Sequence, residues 1–449
     1  MRLLIVTHAF APMLSPRAFR WTTLAEHWGL ECAHEVHVIC SRPHGALHCE
    51  FRNGVLVRRV DGKLLAKLHA VNSERLSSRP ATANRDGSTA SLFRRLSIRT
   101  ASRLGAVVWR SLRWPDFACF WRRPALEMAR KLLTQGGFDG LITVSLPFTS
   151  HLVGWGLKQE FPNIPWLVDT GDPFCFMDQT PLNNFRLYRR VNERVERRVF
   201  ERADAVSVTT PETRNEYGRR FPHVLEKITV IPPLVSPMDV DCDNSQIFED
   251  SGVRRLVFSG SLYQTIRNPS GLLRLFSALL DRDRRWQLHF LGLVHGCEAE
   301  FRLCKHLLDK NIFLHGHVGR DCAIRHMRAA DVLVNLGNTS TYQLPSKVVE
   351  YAMLRRPVLN LTTTPLDSST VFFRGYPLAL TIQENDGSTA RNHAERLERF
   401  LLNQPTISDF EWELRMAPFR IERVAAAYER LLVKKQFLSE DAAQRGKVA

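Results

Sequence analysis

The sequence predicts an α/β protein built from two doubly wound, Rossmann-like parallel sheets facing across a cleft. Three observations carry this expectation. Short apolar runs alternate with amphipathic helical stretches along nearly the whole chain. Strands separated by helices of about 10–15 residues pair in parallel and are covered by those helices. The alternation breaks once, around Pro232, Pro233 and Pro237, where an acidic polar segment runs to Asp250. With 449 residues, the chain is also too long for one ordinary core.

The elements follow in order. An apolar run, Leu3–Val6, precedes a helical pattern from Ala18 to Leu30 and a second run, Val36–Cys40. Further strands are expected at Val55–Val60, Leu141–Val144, Trp166–Val168, Ala205–Val208 and Ile228–Ile231, with a charged helix over Asn184–Ala203. After the prolines come Leu256–Phe258, a helix from Pro269, Leu288–Leu291 and a helix ending at Lys310. Val332–Leu336, a helix from Ser346 and Val358–Leu361 complete the second run. The expected domains are residues 1–235 and 236–409. Ligands of such sheets bind outside the carboxyl ends of the strands. No G-x-G-x-x-G turn follows Val6, which argues against a dinucleotide.

Composition narrows the class. Hydrophobic residues make up 44% and charged residues 24%, the mix of a globular protein. No run of about 18 apolar residues occurs, so no spanning helix is expected. The opening MRLLIVTHAFAP is too short an apolar stretch to read as a signal peptide. Nine Cys are scattered without a C-x-x-C pair, which reads as free thiols in a reducing compartment and not as structural zinc.

The formal net charge is +16, and residues 61–131 alone hold 15 Lys and Arg against 5 Asp and Glu. Within that stretch Ser73–Ser91 reads as a long loop. Beyond it, Trp109, Arg110, Arg113, Trp114, Phe117, Phe120, Trp121, Arg122 and Arg123 interleave rings with cations. Either these form an interfacial patch on an anionic membrane surface, or the rings pack a helix onto the core under solvated arginines. Nucleic acid is not an expected partner, because no recognised binding motif accompanies the charge.

Several segments could carry chemistry. Gly260 follows an apolar strand and lets backbone approach a ligand, and Arg267 offers a fork of donors suited to phosphate. Pro345 suits a first helical turn. It places Ser346 and Lys347 at a helix N-terminus, which attracts anions. Glu350 lies one turn on and either accepts from ligand hydroxyls or completes a capping box. In the first half Asp172, with Asp169 and Gly171, ends a strand where a carboxylate could act as general base. His151 is the second candidate base. Ser15 and Arg17 lie in the loop after the first strand, where a basic residue could meet phosphate.

These residues resemble the retaining glycosyltransferases of the large group-1 family (family 4), of GT-B architecture. The likeness runs through Gly260, Arg267, Gly316, Ala330 and Asp331, then Pro345, Ser346, Lys347, Glu350, Tyr351 and Arg356 to Val358. The first half resembles the acceptor domain of that family through Ala33 to Val36 and the strand ending in Asp169 to Pro173. The resemblance implies that Arg267 contacts a donor diphosphate and that Glu350 holds the nucleotide ribose. It also implies that a C-terminal helix, about 410–434, crosses back onto the first domain. Two positions depart from the family pattern: Tyr342 stands where its first motif Glu belongs, and Ser261 replaces the Arg after the glycine.

The activity so implied is transfer of a sugar from a nucleoside diphosphate sugar to a hydroxyl acceptor, with no metal and no separate cofactor. A lipid-linked saccharide in bacterial surface polysaccharide synthesis is the expected acceptor. The expected location is the cytoplasm, at the inner face of the membrane. A nucleotide-sugar epimerase of the same architecture and a binding subunit without turnover are the alternatives.

Overall fold

A computed structural model of the chain describes residues 1–13, 15–62, 111–177, 181–235, 247–248, 252–338 and 342–445. The Ser73–Ser91 loop, Trp109 and Arg110 lie outside the described residues. The chain divides into two compact units, Met1–Ile231 with Val424–Ala449, and Pro232–Arg423.

Eight strands form the sheet of the first unit: β1 (Arg2–Thr7), β2 (Glu35–Ser41), β3 (Cys49–Arg52), β4 (Val55–Val60), β5 (Gly140–Ser145), β6 (Trp166–Thr170), β7 (Ala205–Val208) and β8 (Ile228–Val230). Their order is β3-β4-β2-β1-β5-β6-β7-β8. Every neighbouring pair is parallel except β3 and β4. Leu3, Leu4, Ile5 and Val6 of β1 are wholly buried, as a strand in a covered parallel sheet requires. The helices between strands are α1 (Pro16–Leu30), α2 (Arg122–Thr134), α3 (Thr149–Glu160), α4 (Phe185–Arg202) and α5 (Pro211–Arg220). Their starts follow capping chemistry. Ser15 accepts from the Ala18 N–H at 3.2 Å with Pro16 next in line, and Asn184 and Thr210 cap α4 and α5 in the same way.

The antiparallel hairpin β3–β4 escapes the apolar pattern, because Cys49–Arg52 is a half-exposed edge strand. Its signal was the turn. Asn53 and Gly54 both take positive φ, +44° and +77°, as a two-residue hairpin loop demands. Gly54 also lies against Gly29 of α1, where a Cβ would meet the Gly54 carbonyl oxygen at 2.6 Å.

The second unit has six parallel strands, β9 (Arg254–Ser259), β11 (Trp286–Leu291), β13 (Ile312–Gly316), β14 (Val332–Leu336), β15 (Val358–Thr362) and β16 (Ala379–Gln383). They run in the order β13-β11-β9-β14-β15-β16. A two-stranded parallel pair, β10 (Leu262–Tyr263) with β12 (Val294–His295), stands apart. Helices α6 (Ser270–Arg282), α7 (Glu298–Leu303), α8 (Arg320–Arg328), α9 (Ser346–Met353), α10 (Ser368–Phe373) and α11 (Ala390–Leu402) accompany the sheet. The helix expected up to Lys310 is only α7, followed by a short 3-10 turn.

Two expectations change. The return to the first unit starts later than residue 410. Helix α12 (Asp409–Met416) stays on the second unit because Trp412 Nε1 donates to the Ala352 carbonyl at 3.0 Å. Helix α13 (Ile421–Arg445) belongs to the first unit from Val424 onward, and Tyr428 packs on Trp21 and Trp28 of α1. The row of rings near 109–123 is also divided. Trp121 is core, and Trp114 donates to Asn192 Oδ1 at 3.1 Å, whereas Phe117 and Phe120 are 46% and 39% exposed.

Candidate functional site

In the second unit a pocket of about 290 Å³ opens at the carboxyl ends of β14, β15 and β16, just below the usual 300–1,000 Å³ of small-molecule sites. Thr265 to Asn268 and Ser270, from the connection between β9 and α6, line one side. Leu336, Gly337, Leu361, Thr363 and Glu384 line the rest. Arg267 is half-buried there, and burial pulls its pKa below the ordinary value. Its Nε donates to Asn338 Oδ1 at 3.0 Å, and it makes no ion pair among the described residues. Nearby Asp367 keeps one oxygen on Ser369 while its Oδ2 is buried without a hydrogen-bond partner. A cation and a carboxylate left short of partners are the arrangement that a polar ligand completes.

Glycines shape the approach. Gly260 takes φ +153° beside Arg267. Gly292 has φ +148°, and a Cβ there would strike the Gly260 carbonyl oxygen at 2.1 Å. The close approach of the β9 and β11 ends therefore requires glycine at 292, whereas at 260 it is the backbone conformation that favours glycine. Glu384 and Asn338 were missed in the sequence. Glu384 follows β16, an element the apolar pattern does not reveal, and it lies against Gly271 at the start of α6.

Ser346 and Lys347 start α9, whose N-terminus has no side-chain cap. Glu350 is buried, yet it does not close a capping box. Its Oε2 meets Lys347 Nζ at 2.6 Å, and Arg320 Nη1 lies 3.5 Å from Oε1. Tyr351 ties this helix to β9, accepting from the Ser259 N–H at 3.0 Å. Tyr342 is partly buried, and its place before α9 holds no carboxylate.

In the first unit Asp169 is a structural hub. It is fully buried and accepts from Trp21 Nε1 at 3.0 Å, Ser207 Oγ at 2.7 Å and Tyr428 OH at 2.6 Å. Arg17 Nη1 stands 3.6 Å away, and the guanidinium lies directly on Gly171, where a Cβ would be 0.9 Å from Nη2. Asp172 sits just past this point, half-buried in the loop after β6. Ser15 is committed to capping α1.

His151 is in the first turn of α3 at 0% exposure. Its Nδ1 is 2.9 Å from Thr143 Oγ1, and its Nε2 has no partner. Burial pushes its pKa down to about 3; Asp169 opposes that shift and Arg17 adds to it. The ring is therefore neutral at pH 7. Ser150 Oγ, in the first turn of α3, and Thr170 Oγ1, at the carboxyl end of β6, are likewise buried without hydrogen-bond partners.

Two family profiles match, that of a glycosyl transferase 4-like domain over residues 18–233 and that of glycosyl transferases group 1 over residues 253–370. No curated protein matches the chain by sequence. Among solved structures, sucrose-phosphate synthase from Thermosynechococcus elongatus is similar at TM-score 0.63 and 14% identity, over 98% of this chain and 100% of that one. The α,α-trehalose 6-phosphate synthase of Burkholderia multivorans reaches 0.62 at 12% identity, over 98% and 99%. Anabaena HepE in complex with UDP and glucose reaches 0.59 at 12% identity, over 96% and 99%. Such identities speak for the fold alone. With one profile on each parallel sheet, the chain belongs to the group-1 glycosyltransferases of GT-B fold.

Proposed function

We propose that this glycosyltransferase takes its sugar from a nucleoside diphosphate sugar and passes it to a hydroxyl of a lipid-linked saccharide. The observation that carries the donor half is Arg267, a desolvated guanidinium in the pocket that makes no ion pair among the described residues, although Asp367 lies nearby and Glu384 lines the same pocket. A diphosphate supplies the missing anion. Gly260 admits the phosphates, the start of α9 with Ser346 and Lys347 adds positive potential, and Glu350 takes the ribose hydroxyls once Lys347 turns to phosphate. These cations stabilise the leaving diphosphate in place of a divalent ion. In the first unit Asp172 is the acceptor-side base, His151 is the second candidate, and Arg17 meets an acceptor phosphate. Retention of configuration belongs to the same reading.

Support for a lipid-linked acceptor is the charge of residues 61–131 together with the exposed Phe117 and Phe120. Among the described residues no helix is long and apolar enough to cross a membrane. Contact at the inner, cytoplasmic face would then be peripheral.

A thermal-shift panel of nucleoside diphosphates and nucleotide sugars tests the donor site, since a bound ligand stabilises the fold by mass action. A donor-hydrolysis assay then separates the rivals. Binding without turnover would make the chain a binding subunit, consistent with Tyr342 and Ser261. Interconversion of nucleotide sugars would make it an epimerase.

A further inference from the structure

We infer that α4 is a docking surface for an anionic lipid bilayer. The helix carries seven Arg and three Glu in 18 residues. Its inner face needs none of the arginines. Glu196 accepts from Tyr217 OH at 2.6 Å and from the N–H groups of Phe174 and Cys175, and Asn192 pairs with Asn183 and Trp114. Val199 and Phe200 complete that buried side.

The outward face is different in kind. Arg190, Arg194, Arg198 and Arg202 are all exposed and follow one another at i,i+4 spacing along a single ridge. None of the four makes an ion pair among the described residues; beside them Arg197 lies 3.8 Å from Glu201, whose Oε1 is also 2.9 Å from His223 Nε2. Like charges at i,i+4 destabilise a helix. The ridge is therefore held against its own repulsion by the inner face, and an external anionic surface would relieve it.

Apolar side chains complete the face. Leu187 and Val191 lie beside the ridge and are 60% and 39% exposed. Leu112, 71% exposed, is placed next to the first turns of α4, because Asn184 Nδ2 donates to Ser111 Oγ at 2.7 Å and Tyr188 OH donates to the Ser111 carbonyl. Arginine beside exposed leucine and valine suits a bilayer, whose headgroups take the cations while its acyl boundary takes the apolar tips. A nucleic acid would use the arginines and leave the leucines in water. The arginine ridge of this surface lies outside residues 61–131, which contribute only Leu112 to it, and its test involves no nucleotide, so its failure leaves the transferase reading intact.

The test is sedimentation of the full chain with vesicles of phosphatidylcholine alone and of phosphatidylcholine mixed with phosphatidylglycerol. Binding is expected only to the mixed vesicles and should weaken with salt. The triple change Arg190→Gln, Arg194→Gln and Arg198→Gln should reduce partitioning on the order of 100-fold, while raising thermal stability through lost repulsion. The pair Leu187→Ser and Val191→Ser should reduce it roughly tenfold with the arginines intact. Equal binding to neutral vesicles would overturn the inference. So would a triple variant that binds normally, whether or not Arg122→Gln with Arg123→Gln abolishes binding. Unaltered vesicle binding by the Leu187 and Val191 variant, together with tight binding of an oligonucleotide duplex through the same arginines, would make α4 a nucleic-acid surface instead.

Discussion

Replacing Arg267 by Ala isolates the charge that the donor site contributes. In the folded protein the Nε–H is spent on Asn338 at 3.0 Å, leaving both terminal amino groups for a ligand. Burial has already stripped water from the guanidinium, which is why its pKa falls. The cost of desolvation is thus met in folding and does not offset the bond to a phosphate oxygen. Two charge-assisted hydrogen bonds, less the relief of an unpaired buried cation, should amount to about 2–4 kcal/mol, or roughly 30- to 1,000-fold in affinity. Calorimetric titration with a nucleoside diphosphate and with the matching nucleoside reads this directly. The diphosphate should weaken by that factor in Arg267→Ala and the nucleoside hardly at all. Arg267→Lys should recover part of the loss, because it restores charge without the fork. Equal losses for both ligands would refute the phosphate contact and leave Arg267 a brace for Asn338.

Glu350→Gln should weaken nucleotide binding by about 1.5–3 kcal/mol, with little cost to the fold because Lys347 and Arg320 are both partly exposed; unchanged affinity by calorimetry would remove Glu350 from the ribose site. Asp172→Asn should slow turnover by roughly 100-fold or more with donor affinity unchanged, as loss of a general base does. An inactive His151→Ala alongside an active Asp172→Asn would reverse the ranking of the two. Because burial holds His151 near 3, the pH–rate profile should contain no inflection between about pH 5 and 8 that His151→Ala removes. Tyr428→Phe deletes one bond to Asp169 and one from Arg20. It should lower stability in urea by about 2–4 kcal/mol, and an unchanged midpoint would show that α13 is held by packing alone.

Strands with continuous apolar runs were legible because burial on both faces removes the need for alternation. Ala205–Val208 and Val332–Leu336 have the same limits in sequence and structure. The start of α9 was legible for a similar reason, since Pro345 is fixed by local backbone chemistry. The edge strand β3, the half-exposed β16 and the split of the C-terminal segment between units were not. Each depends on a partner distant in the chain, such as Ala352 for Trp412.

The same division runs through the site. The residues in order singled out Gly260, Arg267 and Glu350 as candidates, and it was their resemblance to the group-1 glycosyltransferases that implied a nucleotide-sugar site. Only the tertiary structure decided which of these groups are already engaged. It paired Glu350 with Lys347, put Asn338 and Asp367 beside Arg267, committed Ser15 to a cap and shut His151 from water. It also turned four arginines of α4 outward without partners among the described residues. Local sequence sets which side chains can bond, but burial and the approach of distant elements set which bonds are made, because the energy of a charge depends on the solvent and partners that the fold leaves it.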